Sequence, residues 1–211
     1  MRLKVCGMTK TGQLKELEEL NVDFAGFIFY KPSPRYVMNN GLTPQVLKTE
    51  KIKINRVGVF VNETAENVLQ CVKEWKLDMV QLHGDESPKY CEHISNHITT
   101  IKAFRIGTDN NTLYRLFPYT EYADLFLFDT LGKKFGGTGE QFDWNQLARL
   151  NSEKPYFLSG GIGPDDIEKI KQFCSSEKNV FALDVNSKFE FSPGIKDMKL
   201  VKEFVDEINK F

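Results

Sequence analysis

The chain of 211 residues is 41% hydrophobic and 27% charged, with a formal charge of -1. That is the composition of a soluble globular protein, long enough to bury a sizeable core without staples as one domain or two small ones. A charge so near zero argues against a nucleic-acid or membrane-surface protein held by general attraction, yet leaves room for a small basic pocket.

The four cysteines, Cys6, Cys71, Cys91 and Cys174, form no CxxC pair and no His/Cys cluster at zinc spacing. No apolar run is long enough to span a bilayer, and the Met1 start carries no apolar leader segment. A cytoplasmic protein with reduced thiols is expected. Cys71, Cys91 and Cys174 fall in or near helices and read as packing residues.

In chain order, Leu3 to Gly7 reads as a first short strand, and Thr9 or Thr11 as the cap of a helix with Leu14, Leu17 and Leu20 on one face. Phe24 to Phe29 is a second buried strand, ending in the loop Tyr30 to Tyr36. Thr43-Pro44 signals a capped helix through Val46 and Leu47. Ile54 to Val61 is strand three. Asn62 or Thr64 then begins a helix with Val68, Leu69, Val72 and Trp75 inward. Met79 to Leu82 is strand four, and Ser87-Pro88 opens the next helix.

Thr99 to Phe104 is strand five, followed by a weaker helix over Thr112 to Phe117. Leu125-Phe126-Leu127-Phe128-Asp129-Thr130 lacks polar alternation, as expected of a strand buried on both faces in a parallel sheet. It ends at a carboxylate and opens into a glycine-rich run over 132–139. A helix over Asn145 to Leu150, a strand over Tyr156 to Leu158 and a helix over Pro164 to Phe173 follow. Val180 to Leu183 is strand eight, and Asp197 to Ile208 the closing helix.

Eight short apolar strands alternating with eight helices give the pattern of the α/β class as a single (β/α)8 barrel of the TIM type, with an open doubly wound sheet as the competing architecture. No linker or low-complexity tract divides the chain, so residues 1–211 read as one domain. In such a barrel the groups after each strand share one mouth. Here these are Cys6, the Arg35 loop, Gln81 and His83, Asp129, Ser159-Gly160-Gly161 and Asp184. Glycines at Gly160 and Gly161 let backbone N–H groups approach an anion, and Asn186 and Ser187 suit the start of a short phosphate-binding helix after strand eight. With no dinucleotide fingerprint or metal cluster, proton transfer is the available chemistry: a thiol as base and a carboxyl as acid on a sugar phosphate.

Lys4-Val5-Cys6-Gly7-Met8-Thr9, Ser33-Pro34-Arg35-Tyr36-Val37, Val80 through Glu86, Phe128-Asp129-Thr130 with Gly136 through Gly139, Phe142-Asp143-Trp144, Leu158 through Ile162, and Ala182 through Val185 run from the first strand to the last. Through these segments the whole chain resembles the phosphoribosylanthranilate isomerase family of tryptophan biosynthesis. The resemblance implies an Amadori rearrangement of N-(5-phosphoribosyl)anthranilate to 1-(2-carboxyphenylamino)-1-deoxyribulose 5-phosphate, without metal or cofactor. It makes Asp129 the general acid, Cys6 the general base and Arg35 the partner of the anthranilate carboxylate. Gln81, His83 and Asp184 become substrate contacts, and Gly160, Gly161, Asn186 and Ser187 the phosphate grip. The expected partner is this small molecule, not a nucleic acid or membrane, and the chain is expected as monomer or homodimer.

Two positions depart from the family pattern. Lys188 stands where glycine is usual, so the turn must differ or bear strain, and Ser159 stands where alanine is common. The rival readings are a related sugar-phosphate aminoaldose isomerase, which typically uses two carboxylates, and a phosphosugar-binding barrel without catalysis.

Overall fold

The computed structural model describes residues 1–107, 115–131, 141–148 and 153–211. Strands β1 (Leu3–Val5), β2 (Phe24–Ile28), β3 (Asn55–Phe60), β4 (Met79–Leu82), β5 (Thr100–Ile106), β6 (Leu125–Thr130), β7 (Tyr156–Leu158) and β8 (Val180–Val185) follow one another round a closed barrel. The pairings are parallel, and β8 closes on β1 with Asp184 opposite Lys4. Closure rules out the open sheet.

The reason for closure is legible in side-chain alternation. Phe24, Val57, Ile101, Ala103, Leu125, Leu127, Phe157 and Ala182, drawn from six strands, pack together as the barrel interior. Their strand neighbours, among them Phe27, Val80, Phe104, Phe126, Phe128, Leu158 and Leu183, join the larger cluster beneath the helices. A strand buried on both faces has no polar side to alternate. A register shift between Tyr156 and Phe157 against β8 accompanies Phe181 packing on Phe157 with ring centroids 5.3 Å apart.

The helices are α1 (Thr11–Glu19), α2 (Pro44–Thr49), α3 (Ala65–Trp75), α4 (Pro88–Ser95), α5 (Asn145–Ala148), α6 (Ile167–Ser176) and α7 (Met198–Ile208). Thr43, Thr64, Ser87 and Asp197 accept a backbone N–H as side-chain caps of α2, α3, α4 and α7. The first helix differs from expectation. Its N-cap is Lys10, without a side-chain cap, and Thr9 instead donates to the Gly194 carbonyl at 2.6 Å.

That partner belongs to an unexpected element, the antiparallel hairpin of β9 (Glu190–Ser192) and β10 (Ile195–Lys196). Gln13 on α1 fastens its far strand, donating to the Lys196 carbonyl at 2.6 Å and accepting the Lys196 N–H at 3.1 Å. The glycine-rich run 132–139, the first half of the helix expected over Thr112 to Phe117 and the end of the one expected over Asn145 to Leu150 lie outside the described residues. Among the described residues, no helix is long and apolar enough to cross a membrane.

Cys91 is fully buried and Cys71 and Cys174 are partly covered, all three free thiols. Burial pushes them up, Cys91 to about 12 and Cys71 and Cys174 to about 11. They are packing residues with little thiolate at neutral pH.

Candidate active site

The interior positions of the barrel are apolar low down and become polar at the strand ends. Two-residue periodicity places Lys4 and Cys6, Gln81 and His83, Asp129, Ser159, and Asp184 and Asn186 on the same interior face as the hydrophobic plug. The sequence-predicted groups therefore share the carboxyl mouth. They form two clusters, one around β1 and β8 and one between β4 and β6.

In the first cluster Cys6 is buried, and its thiol lies so close to β2 that a Cβ on Gly26 would come within 2.8 Å of Sγ. Lys4 is fully buried, and its Nζ donates to Asp184 Oδ1 at 2.8 Å. Ser159 Oγ donates to the other Asp184 oxygen at 3.2 Å. Above them Lys196 Nζ donates to Asn186 Oδ1 and Glu190 Oε1, each at 2.8 Å. Glu190 also takes both Arg35 Nε, at 3.0 Å to either oxygen, and Arg35 Nη2 at 2.7 Å. Gly7, at φ +75°, lets this loop pass, since a Cβ there would meet Arg35 Cδ at 2.7 Å and Asn186 Oδ1 at 2.9 Å.

Three cations, Lys4, Arg35 and Lys196, thus face two carboxylates, Asp184 and Glu190. Burial pushes the Cys6 thiol above its ordinary value and Asp184 adds to this, while Lys4 and Lys196 pull against it. Burial would lower Lys4, but Asp184 and the Cys6 thiolate outweigh it and hold the ammonium higher than usual. For Lys196 burial wins over Glu190 and the ammonium is held below its usual range.

In the second cluster Gln81 and His83 are buried, with Gln81 Nε2 2.7 Å from His83 Nδ1. His83 Nε2 lies 3.3 Å from Asp129 Oδ2. The approach makes no hydrogen bond, and His83 Nε2 is a buried polar atom without a hydrogen-bond partner, as is Gln81 Oε1. Asp129 Oδ1 accepts the Thr130 N–H at 2.8 Å. Behind His83 the loop is pinned by Lys102, which donates to the Leu82 and Gly84 carbonyls at 3.2 and 2.7 Å and to Glu86 Oε2 at 2.8 Å.

The glycine loop follows β7. Gly160 and Gly161 have φ of +89° and +64°, and a Cβ on Gly160 would come within 2.8 Å of the Thr130 N. After β8, Asn186 precedes a short 3-10 turn over Ser187–Phe189, as anticipated for this loop. Lys188 sits in that turn without positive φ, so the expected strain is not there: the turn takes another form. Sequence reasoning passed over Lys4, Glu190 and Lys196. Lys4 carried a signal, two residues before Cys6 on one strand; the other two depend on the hairpin.

Among the described residues, no group of three His, Cys, Asp or Glu lies together as a metal site. Comparison with known proteins finds relatives along the whole chain. The family profile described as N-(5'phosphoribosyl)anthranilate (PRA) isomerase matches residues 3–207. An N-(5'-phosphoribosyl)anthranilate isomerase of Parabacteroides distasonis is 38% identical over 209 residues, covering 99% of this chain and 93% of that protein. A monomeric form of the dimeric phosphoribosylanthranilate isomerase of Thermotoga maritima superposes with TM-score 0.83 at 29% identity, covering 100% of both chains. A phosphoribosyl anthranilate isomerase in complex with reduced 1-(o-carboxyphenylamino)-1-deoxyribulose 5-phosphate gives TM-score 0.82 at 30% identity, again covering 100% of both.

Proposed function

Because this chain belongs to the N-(5'-phosphoribosyl)anthranilate isomerase family, we propose that Cys6 and Asp129 are the base and acid of the isomerisation that membership assigns to it, a step of tryptophan biosynthesis. The observation that carries the assignment of roles is a buried thiol and a carboxyl opening into one barrel mouth, the thiol flanked by two buried ammonium groups.

Asp129 delivers a proton to the ribose ring oxygen as the C1–O bond breaks. The electron pair of that bond stays on the oxygen, and the nitrogen lone pair forms C1=N. The Cys6 thiolate then takes the C2 proton, and the C2–H electrons form C1=C2 and neutralise the iminium. A proton returns to C1 as one leaves the C2 hydroxyl, giving the aminoketose. Proton transfer accounts for every bond change. Lys4 and Lys196 favour the Cys6 thiolate against burial and Asp184, and the surplus positive charge of the Lys4, Arg35 and Lys196 cluster favours an anionic substrate.

Arg35, held by Glu190, receives the anthranilate carboxylate. Gly160, Gly161, Asn186 and Ser187 hold the phosphate by backbone N–H groups and the turn after β8. Asp184, fixed by Lys4 and Ser159, faces the substrate amine or a ribose hydroxyl. Residues 1–211 act as one catalytic domain on this small molecule, in the cytoplasm, as a monomer or homodimer.

The test is loss of fluorescence on mixing the purified protein with freshly generated phosphoribosylanthranilate. Rapid decay with the wild type is expected, with Cys6→Ala and Asp129→Asn each reduced about 10²- to 10⁴-fold, the usual contribution of a general acid or base. Retained turnover in both variants overturns the assignment.

A further inference from the structure

His83 was expected as a substrate contact, yet protein groups stand beside both ring nitrogens: Gln81 Nε2 2.7 Å from Nδ1, and Asp129 Oδ2 3.3 Å from Nε2 without a hydrogen bond. We propose that His83 is the proton reservoir of Asp129, so that the acid of this site is the His83–Asp129 pair, with Gln81 setting the ring. The inference rests on the reading of Asp129 as the acid.

The need arises from ordinary carboxyl chemistry. A carboxyl that acts as general acid at neutral pH needs a neighbouring source of protons. An imidazole takes up and releases its proton between pH 5 and 8. A carboxyl and an imidazole brought into contact exchange a proton as a pair. The two unpartnered atoms fit this use. His83 Nε2 stands 3.3 Å from Asp129 Oδ2 without a hydrogen bond, a separation that a small turn of either side chain converts into a proton-transfer contact. Gln81 Oε1 is the acceptor that Nδ1–H requires when both ring nitrogens carry protons, and rotation of the terminal amide brings it to the place 2.7 Å from Nδ1.

The proton passes from His83 Nε2 to Asp129 Oδ2, and from Oδ2 to the ring oxygen as the C1–O bond breaks. Ring opening leaves the imidazole neutral with its Nε2 lone pair facing a carboxylate, an arrangement that recaptures the proton lost from the C2 hydroxyl. Apo contacts of this kind tighten when substrate closes the site. The other charges around the ring are already engaged. Arg105 on β5 donates to Asp85 at 2.9 Å, and Lys102 and Glu86 pair behind the loop at 2.8 Å. Lys4, Cys6 and Asp184 belong to the cluster around β1 and β8. The pinned loop fixes the His83 backbone, whose N–H donates to the Phe60 carbonyl at 2.8 Å.

The experiment is the pH dependence of kcat and KM for the wild type, His83→Asn, Gln81→Glu and Asp129→Asn, each checked for a cooperative melting transition. His83→Asn is expected to lower kcat about 10²-fold with KM within about twofold, and to move one limb of the profile to lower pH. Gln81→Glu, which puts a carboxylate beside Nδ1, is expected to move the same limb to higher pH. A raised KM with both limbs in place for His83→Asn, or an unmoved limb for Gln81→Glu, overturns the proposal. Should His83→Asn fail to fold, Gln81→Glu decides alone. Full turnover in Asp129→Asn removes the underlying reading instead, whatever the other variants do.

Discussion

Arg35 and Glu190, 155 positions apart in the chain, close on each other through two guanidinium nitrogens, Nε at 3.0 Å from both carboxylate oxygens and Nη2 at 2.7 Å from one. The pair joins the loop after β2 to the β9–β10 hairpin and fixes the guanidinium to which the proposed function assigns the anthranilate carboxylate. Burial alone would raise the Glu190 carboxyl, but the hydrogen bonds from Arg35 and the charge of Lys196 outweigh it and hold it below the usual carboxylate range. A depressed carboxyl contributes stability that is present above the unfolded-state value, about 4.3, and is lost as pH falls through the folded one. Glu190→Gln is therefore expected to melt at a lower temperature than wild type at pH 7, and the gap should narrow below about pH 4.3. Calorimetry across that range checks it, and a gap of constant size in acid would assign the loss to packing instead of charge.

Lys4 supplies a second prediction, because it opposes the burial that pushes Cys6 up. Lys4→Met removes that pull and leaves Asp184 without its 2.8 Å partner beside the thiol. Both changes raise Cys6 further. Breaking a buried ion pair costs about 3–5 kcal/mol, so the variant must be assayed below its lowered melting point. Alkylation of Cys6, followed by peptide mass mapping, should then need a higher pH than in wild type. Turnover at pH 7 should fall at least about tenfold, one pH unit of thiolate, and recover as pH rises. Equal loss at every pH would reduce Lys4 to a structural role.

Two glycines of the loop after β7 should respond differently to alanine. Gly160 has φ +89°, and a Cβ there would lie 2.8 Å from the Thr130 N. Gly163 has φ -130°, and its nearest neighbour to a Cβ is Lys188 at 3.6 Å, an ordinary contact. Gly160→Ala is expected to cost about 1–3 kcal/mol and to weaken binding of inorganic phosphate, whereas Gly163→Ala should stay within about 0.5 kcal/mol of wild type. Denaturant unfolding and phosphate inhibition of turnover separate the two. Similar losses in both would mean that the loop is sensitive to any side chain.

The sequence was most informative where one strand rule governs both packing and chemistry. Cys6, Asp129 and Asp184 were found as the groups at the ends of apolar strands, and the closed barrel brings them to one mouth. The same rule pointed to Lys4, whose ammonium ends inside the barrel, but a lysine in a short strand reads first as a solvated charge. Glu190 and Lys196 could not be placed by periodicity. Their meeting with Arg35 depends on the hairpin, whose Ser192-Pro193-Gly194 turn is a local signal without information on where the hairpin lands. Gln81 and His83 were recognised as mouth residues, but which partner each nitrogen meets is set by the approach of β6 across β5.

Lys188 completes the set, at the position where the family resemblance led to glycine. It lies in the 3-10 turn Ser187–Phe189 without positive φ, exposed, with its Cβ and Cγ alongside Gly163. The two loops assigned to the phosphate therefore meet at this side chain, and its charge is free of backbone strain. An exposed ammonium acts on a phosphate through a screened field, strong at low salt and weak beyond a Debye length of about 8 Å at physiological ionic strength. Lys188→Gly is expected to raise KM at low ionic strength with kcat nearly unchanged, and the difference from wild type should shrink as salt is added. An unchanged or lower KM at low ionic strength would show that the lysine contributes nothing to phosphate binding and that glycine served this turn equally well.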